Sequence, residues 1–230
     1  MKALRTKICA YAVVLFASLS LAMTTSVKAD SSDFAGLFVA VHASVNGAAL
    51  DGTHTGGTVA GYTARGEEVS NGQLGAFVPV AGFEAGFNLP LGSVFFLGVG
   101  GTMVNGSADL VTSDNYGNDA DITIEVKDIY TWWVQPSVAI GNAAMYFKFG
   151  TSKADLQAIG DVTGGPGNLN GDMYAIGVQS MSPVGLYLKA ESGVTQYDKI
   201  TVTGISGSTY STVEADPIVA FGAISIGYKF

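Results

Sequence analysis

Residues 218–230 alternate with period two: Ile218, Ala220, Gly222, Ile224, Ile226, Tyr228 and Phe230 share one parity, and Ser225, Gly227 and Lys229 the other. Only an extended chain puts every second side chain on one face, so this segment is a strand with one apolar and one mixed face. The pattern recurs along the chain. Leu186, Leu188, Ala190 and Val194 oppose Tyr187, Lys189, Glu191 and Thr195, and Met145, Phe147 and Phe149 oppose Tyr146, Lys148 and Gly150. Phe77, Ala81, Phe83, Phe87 and Leu89 oppose Glu84, Gly86 and Asn88, while Trp132, Val134, Val138 and Ile140 oppose Thr131, Gln135 and Ser137. Two further segments, 37–46 and 174–179, keep the same rule. The segment after Ser93 is apolar on both faces, and Phe95, Leu97 and Val99 are assigned outward. Eight alternating segments and no helical periodicity over three turns after residue 29 make the chain all-β.

The connections divide into two kinds. Pro90-Leu91-Gly92, Gly141-Asn142 and Ser182-Pro183 have the composition of tight turns. Between them lie polar stretches at about 51–72, 111–121, 157–172 and 198–214, read as long loops. Short turns on one end and long loops on the other distinguish a transmembrane barrel from a soluble β-sandwich, the competing all-β solution. In hydrocarbon a sheet must close, because an open edge leaves backbone groups without partners. Using part of 53–70 as a hairpin would make ten strands instead of eight.

The first residues suit export. Lys2, Arg5 and Lys7 precede an apolar run, residues 8–23, and Val27-Lys28-Ala29 offers small residues for cleavage. The run is shorter than the about 20 apolar residues of a spanning helix and contains Ser18 and Ser20. Residues 1–29 are therefore expected to be a cleaved signal peptide and residues 30–230 one barrel domain. Cys9 is the only cysteine, so the remainder holds no thiolate metal site and no Cys nucleophile. That remainder keeps seven basic residues against 19 acidic ones, a net −12, which argues against nucleic acid as a partner.

The terminal strand Ala223-Ile224-Ser225-Ile226-Gly227-Tyr228-Lys229-Phe230 resembles the last strand of small bacterial outer-membrane β-barrel proteins of the OmpA-type and OmpX-type family. The resemblance implies an eight-stranded antiparallel up-and-down transmembrane β-barrel in the bacterial outer membrane. It also implies outer-membrane lipid around it, and barrel-assembly machinery that reads Tyr228 and Phe230 as an assembly signal. Members of that group serve as scaffolds, adhesins, minor pores and lipid-modifying enzymes.

Four charges of lumenal parity stand at similar heights above the turns: Glu84, Lys148, Lys189 and Glu191. Buried charges must pair, and two Lys against two Glu is neutral. They are expected to form one ionic layer, as a plug filling the barrel or as the filter of a narrow porin-like channel. His42 and His54 are the two histidines, one of lumenal parity and one in the first loop, and no Ser–His–acid motif of a lipid-modifying enzyme is recognisable. The run 114–121 with Glu125 superficially resembles an EF-hand, but Asp119 stands where that loop needs Gly. Trp132 and Trp133, with Tyr130 and Tyr174, are expected in the outer aromatic girdle, and Phe87, Phe147, Tyr228 and Phe230 in the inner one. The expected protein is a non-enzymatic structural or surface-interaction barrel with acidic extracellular loops and no cofactor.

Overall fold

The computed structural model describes residues 30–55, 73–113, 122–159, 167–206 and 209–230. The expected signal peptide and the EF-hand-like run 114–121 lie outside the described residues. A single 3-10 turn, Ser31–Phe34, leads into strands β1 (Gly36–Thr55), β2 (Gln73–Pro90), β3 (Phe95–Ser113), β4 (Ile122–Ile140), β5 (Ala143–Ile159) and β6 (Gly167–Met181). Then come β7 (Leu186–Tyr197), β8 (Ile200–Ser206) and β9 (Thr209–Lys229). Each strand pairs antiparallel with the next around the sheet, and β9 returns to β1 from Phe38↔Lys229 to Thr55↔Thr212. β7 and β8 both lie along β9 in one line, Leu186↔Tyr228 through Gln196↔Ile218 and then Ile200↔Ala215 through Ser206↔Thr209. They are two halves of one staff interrupted at Asp198 and Lys199, so the barrel has eight strands.

The parity read from the sequence is the parity of the wall. Leu37, Val41, Phe83, Phe147, Tyr174 and Ile226 are among the large apolar side chains exposed on the outside, while Phe38, Glu84, Gln135, Lys148, Lys189 and Ser225 are buried inside. Phe95 and Val99 point outward, and their neighbour Phe96 inward. An exposed apolar belt on a sheet that closes on itself at that height is the form a β-structure takes in lipid. Among the described residues no helix is long and apolar enough to cross a membrane.

The connections at one end are short: two residues between β4 and β5, with Gly141 at φ 64°, and residues 91–94 and 182–185 at the other two. At the opposite end the strands reach into the stretches expected to be loops. β1 runs 20 residues and β9 runs 21, against about 9–11 for a membrane span. Within the expected loops, 51–55, 111–113, 157–159, 167–172, 200–206 and 209–214 are strand, rich enough in Thr, Val and Ile in 200–206 and 209–214 for the ladder to continue. Above the rim the wall divides. The β2–β3 ladder stops at Ala81↔Asn105 and the β6–β7 ladder at Gly171↔Tyr197, while β1–β2 continues to Asp51↔Gln73 and β3–β4 to Ser113↔Ile122. The projection is thus two four-stranded blades, β8–β9–β1–β2 and β3–β4–β5–β6.

The same substitution should have different costs at different heights on the outer face. Ile224→Arg, in the belt, is expected to cost about 2–4 kcal/mol and Val184→Arg, in a turn, close to nothing. Urea unfolding of the refolded barrel in liposomes measures both, and equal losses would mean that Ile224 does not face lipid.

Candidate functional site

Glu84 on β2, Lys148 on β5, and Lys189 and Glu191 on β7 belong to strands that do not adjoin, except for the last two, so they meet only across the lumen. Lys148 Nζ lies 3.3 Å from Glu84 Oε2 and 2.6 Å from Glu191 Oε2. Lys189 Nζ lies 2.5 Å from Glu84 Oε1 and donates to Gln135 Oε1 at 3.2 Å. Tyr146 donates its hydroxyl to Glu191 Oε2 at 2.9 Å. Glu84 therefore holds both lysines, one on each oxygen, and Glu191 holds one lysine and a tyrosine. The side chains of Glu84, Lys148 and Lys189 are 1% exposed and that of Glu191 10%, so one end of the network is dry and the other touches open space.

Aromatic rings surround the charges. Lys148 Nζ sits 4.7 Å from the Trp133 ring centre, and Lys189 Nζ sits 5.0 Å from Tyr146 and 5.5 Å from Phe38. Ring faces attract cations, most strongly where water is excluded. Phe38 in turn stacks on Trp133 at 6.1 Å and meets Tyr187 edge-on at 5.5 Å, and Trp133 Nε1 donates to Thr102 Oγ1 at 3.0 Å. The expectation that Trp133 joins the outer girdle is corrected here. Trp132 is 69% exposed on the outside, but Trp133 is 3% exposed in the lumen. Adjacent strand residues face opposite ways, and the lumen has room for an indole because glycines face it. Gly86, Gly100 and Trp133 are neighbours in register, and a Cβ at Gly100 would come within 2.6 Å of that ring. Gly177 likewise lies against Tyr146 with no space for a methyl group.

The lumen is layered along its axis. Towards the turns, Phe34, Phe38, Phe96, Met181 and Tyr187 belong to one apolar cluster, and towards the blades Leu156, Leu169, Tyr197 and Ile200 belong to another. Between the ionic layer and the upper cluster is a cavity of about 60 Å³, with Lys148, Glu191, His42, Thr102, Ser152 and Thr195 on its walls. A space of that size with such walls holds a few waters. His42 thus lies in the lumen, as its parity required, whereas His54 ends in the outer part of β1. The ladder between β4 and β5 omits two rows beside Lys148, between Val134↔Phe149 and Ser137↔Tyr146, where Pro136 offers no N–H. No group of His, Cys, Asp and Glu suited to a metal occurs among the described residues.

A closed eight-stranded antiparallel barrel, apolar outside and filled with paired charges inside, defines the class: a transmembrane β-barrel of the bacterial outer-membrane type. Comparison with solved structures agrees on the fold. The chain is similar to the outer membrane protein OprG from Pseudomonas aeruginosa, with a TM-score of 0.52, 12% identity, and coverage of 85% of this chain and 97% of that one. Weaker similarity links it to Ail, the attachment invasion locus protein of Yersinia pestis, in complex with a heparin analogue (TM-score 0.45, 10% identity, 84% and 99% covered). The outer membrane protease OmpT from Escherichia coli follows (TM-score 0.39, 10% identity, 85% and 97% covered). No protein-family model matches the sequence, and no curated protein matches it significantly. The likeness to OprG shows the fold the two share, and the apolar belt is what a place in the outer membrane demands of that fold.

Glu84 is the pivot of the network. Glu84→Ala leaves two buried ammonium groups short of a partner and is expected to cost about 3–5 kcal/mol, whereas Glu191→Ala, at the wetter end, costs less. Combining Glu84→Gln with Lys189→Met should recover part of the loss caused by Glu84→Gln alone, as equilibrium unfolding of the wild type, the two single variants and the double variant will show.

Proposed function

We propose that the protein is a membrane-anchored surface scaffold: a barrel with a blocked lumen, whose strands carry two β-blades and their acidic connections outside the cell. One observation carries the reading. The ionic layer and the rings packed on it lie across the lumen, with the cavity on one side and Phe38 and Tyr187 on the other. Desolvated charges already satisfied by each other give a passing ion nothing to exchange for its hydration shell. The length of β1 and β9 supports the second half of the reading, since most of each strand's excess over a membrane span lies beyond the rim. The reading is of a non-enzymatic protein, and OmpT's protease activity is not carried over to it.

The competing reading is a narrow porin-like channel, favoured by the cavity above the layer, which has room for water, and by the partly exposed Glu191 at its edge. Planar-bilayer recording of the refolded barrel separates the two. A scaffold shows no steady conductance, whereas a channel conducts in the wild type and shifts towards anions in Glu84→Ala. Presentation outside is tested on intact cells: Thr201→Cys, exposed on β8, should react with an impermeant maleimide, and Val184→Cys in the turn should not.

Biogenesis belongs to the same proposal, with the assembly machinery and outer-membrane lipid as partners. Tyr228 and Phe230 are exposed on the outer face with their rings edge-on at 5.2 Å, and the Phe230 N–H donates to Leu37 O at 2.8 Å where the last strand meets the first. Deleting Phe230 is expected to lower insertion and raise degradation in the periplasm. Unaltered heat-modifiable mobility on a gel would remove these two residues from that role.

A further inference from the structure

The short segment before β1 is fastened to four places. Ser31 N donates to Ser93 O at 2.9 Å and the Ser31 hydroxyl to Gly92 O, both in the β2–β3 turn. Asn88 Nδ2 on β2 donates to Phe34 O at 3.0 Å, and Lys229 Nζ on β9 to Asp33 O at 2.8 Å. The Phe34 ring, wholly buried, stacks on Phe96 of β3 with centres 5.0 Å apart and planes 6° from parallel. The segment lies across the turn-side mouth of the barrel as a strap, with Phe34 as its stopper.

Behind the stopper the packing is incomplete. Asn88 Oδ1 and the Tyr187 hydroxyl are buried without a hydrogen-bond partner, and both line a narrow void with Phe38, Gln179 and Met181 that admits no water. Buried polar groups are otherwise almost always satisfied, so these two favour any conformation that lets water reach them. The strap's own fastenings go mainly to backbone carbonyls, for which water substitutes readily, and its apolar anchorage is one phenylalanine. Local opening of such a unit needs no change in the barrel ladders.

We propose that residues 30–35 form a releasable stopper. Its departure hydrates the lower lumen as far as the ionic layer, where Asn88 and Tyr187 gain water, and its return expels that water. The lumen is then a vessel with one movable end and one fixed partition, and small polar molecules from the turn side enter it only to the depth of Lys189.

The chain from Asp30 onward holds no cysteine, so a single reporter thiol can be read without background. Gln179→Cys, behind the stopper, and Ser152→Cys, beyond the ionic layer, are each labelled with a small water-soluble methanethiosulfonate in the refolded protein. Adding Phe34→Ala should speed labelling at position 179 at least about tenfold and leave position 152 unchanged; Tyr187→Phe, which removes one unsatisfied hydroxyl, should slow it at least about fivefold. No acceleration with Phe34→Ala, or equal acceleration at both positions, overturns the stopper. A rate unaffected by Tyr187→Phe overturns the role of the unsatisfied groups in release. Hydrogen exchange of the unsubstituted protein gives an independent test: the Ser31 amide should exchange at least about a hundredfold faster than the ladder amides of β1. Exchange of both at one rate would show that the strap opens only when the barrel does.

Discussion

Backbone hydrogen bonding in a medium without water is the constraint on which the rest of this structure depends. A strand in lipid has no solvent to satisfy its edge, so β9 must find β1, and it does so from Phe38↔Lys229 to Thr55↔Thr212. Closure at eight strands then sets the width of the interior, which side chains can just fill. Everything inside the barrel answers to that width.

The answer is a stack of unlike layers. Aromatic rings lie flat against glycines, so that Trp133 covers Gly86 and Gly100 and Tyr146 covers Gly177. This brings large, rigid side chains to the axis without widening the wall. The rings leave a gap that long, charged side chains fill, and the rings in turn give the two ammonium groups a favourable surface. Hydrophobic residues of similar volume in place of a buried ion pair are often as stable. Their arrangement ties β2, β5 and β7 together across the lumen, with Lys148 on both carboxylates and Lys189 on Glu84.

Much of this was legible in the sequence because the side-chain period of a strand is two. Parity alone put Glu84, Lys148, Lys189 and Glu191 on one face, and equal spacing from the turns at Pro90, Asn142 and Pro183 put three of them at one height. Parity does not report what fills the remaining space. Trp133 shares its face with Gln135 and Ser137, a signal that was present but was outweighed by the habit of tryptophan at membrane interfaces. The strap was illegible for a different reason: Ser31–Phe34 is too short for any periodicity, and its anchors on Asn88, Phe96 and Lys229 are distant in sequence. The projecting ladders were hidden because Thr, Ser and Gly serve equally in loops and in solvated strands.

The division of the wall above the rim bears on how such a chain can change over generations. Among the described residues, no ladder bond joins the blade containing 200–206 and 209–216 to the one containing 107–113 and 122–127. An insertion or an altered register in one blade is absorbed by its own four strands, below which the barrel is unchanged. The outside of the protein therefore consists of two separately variable modules on one invariant cylinder. Either of them can diversify without a compensating substitution in the other.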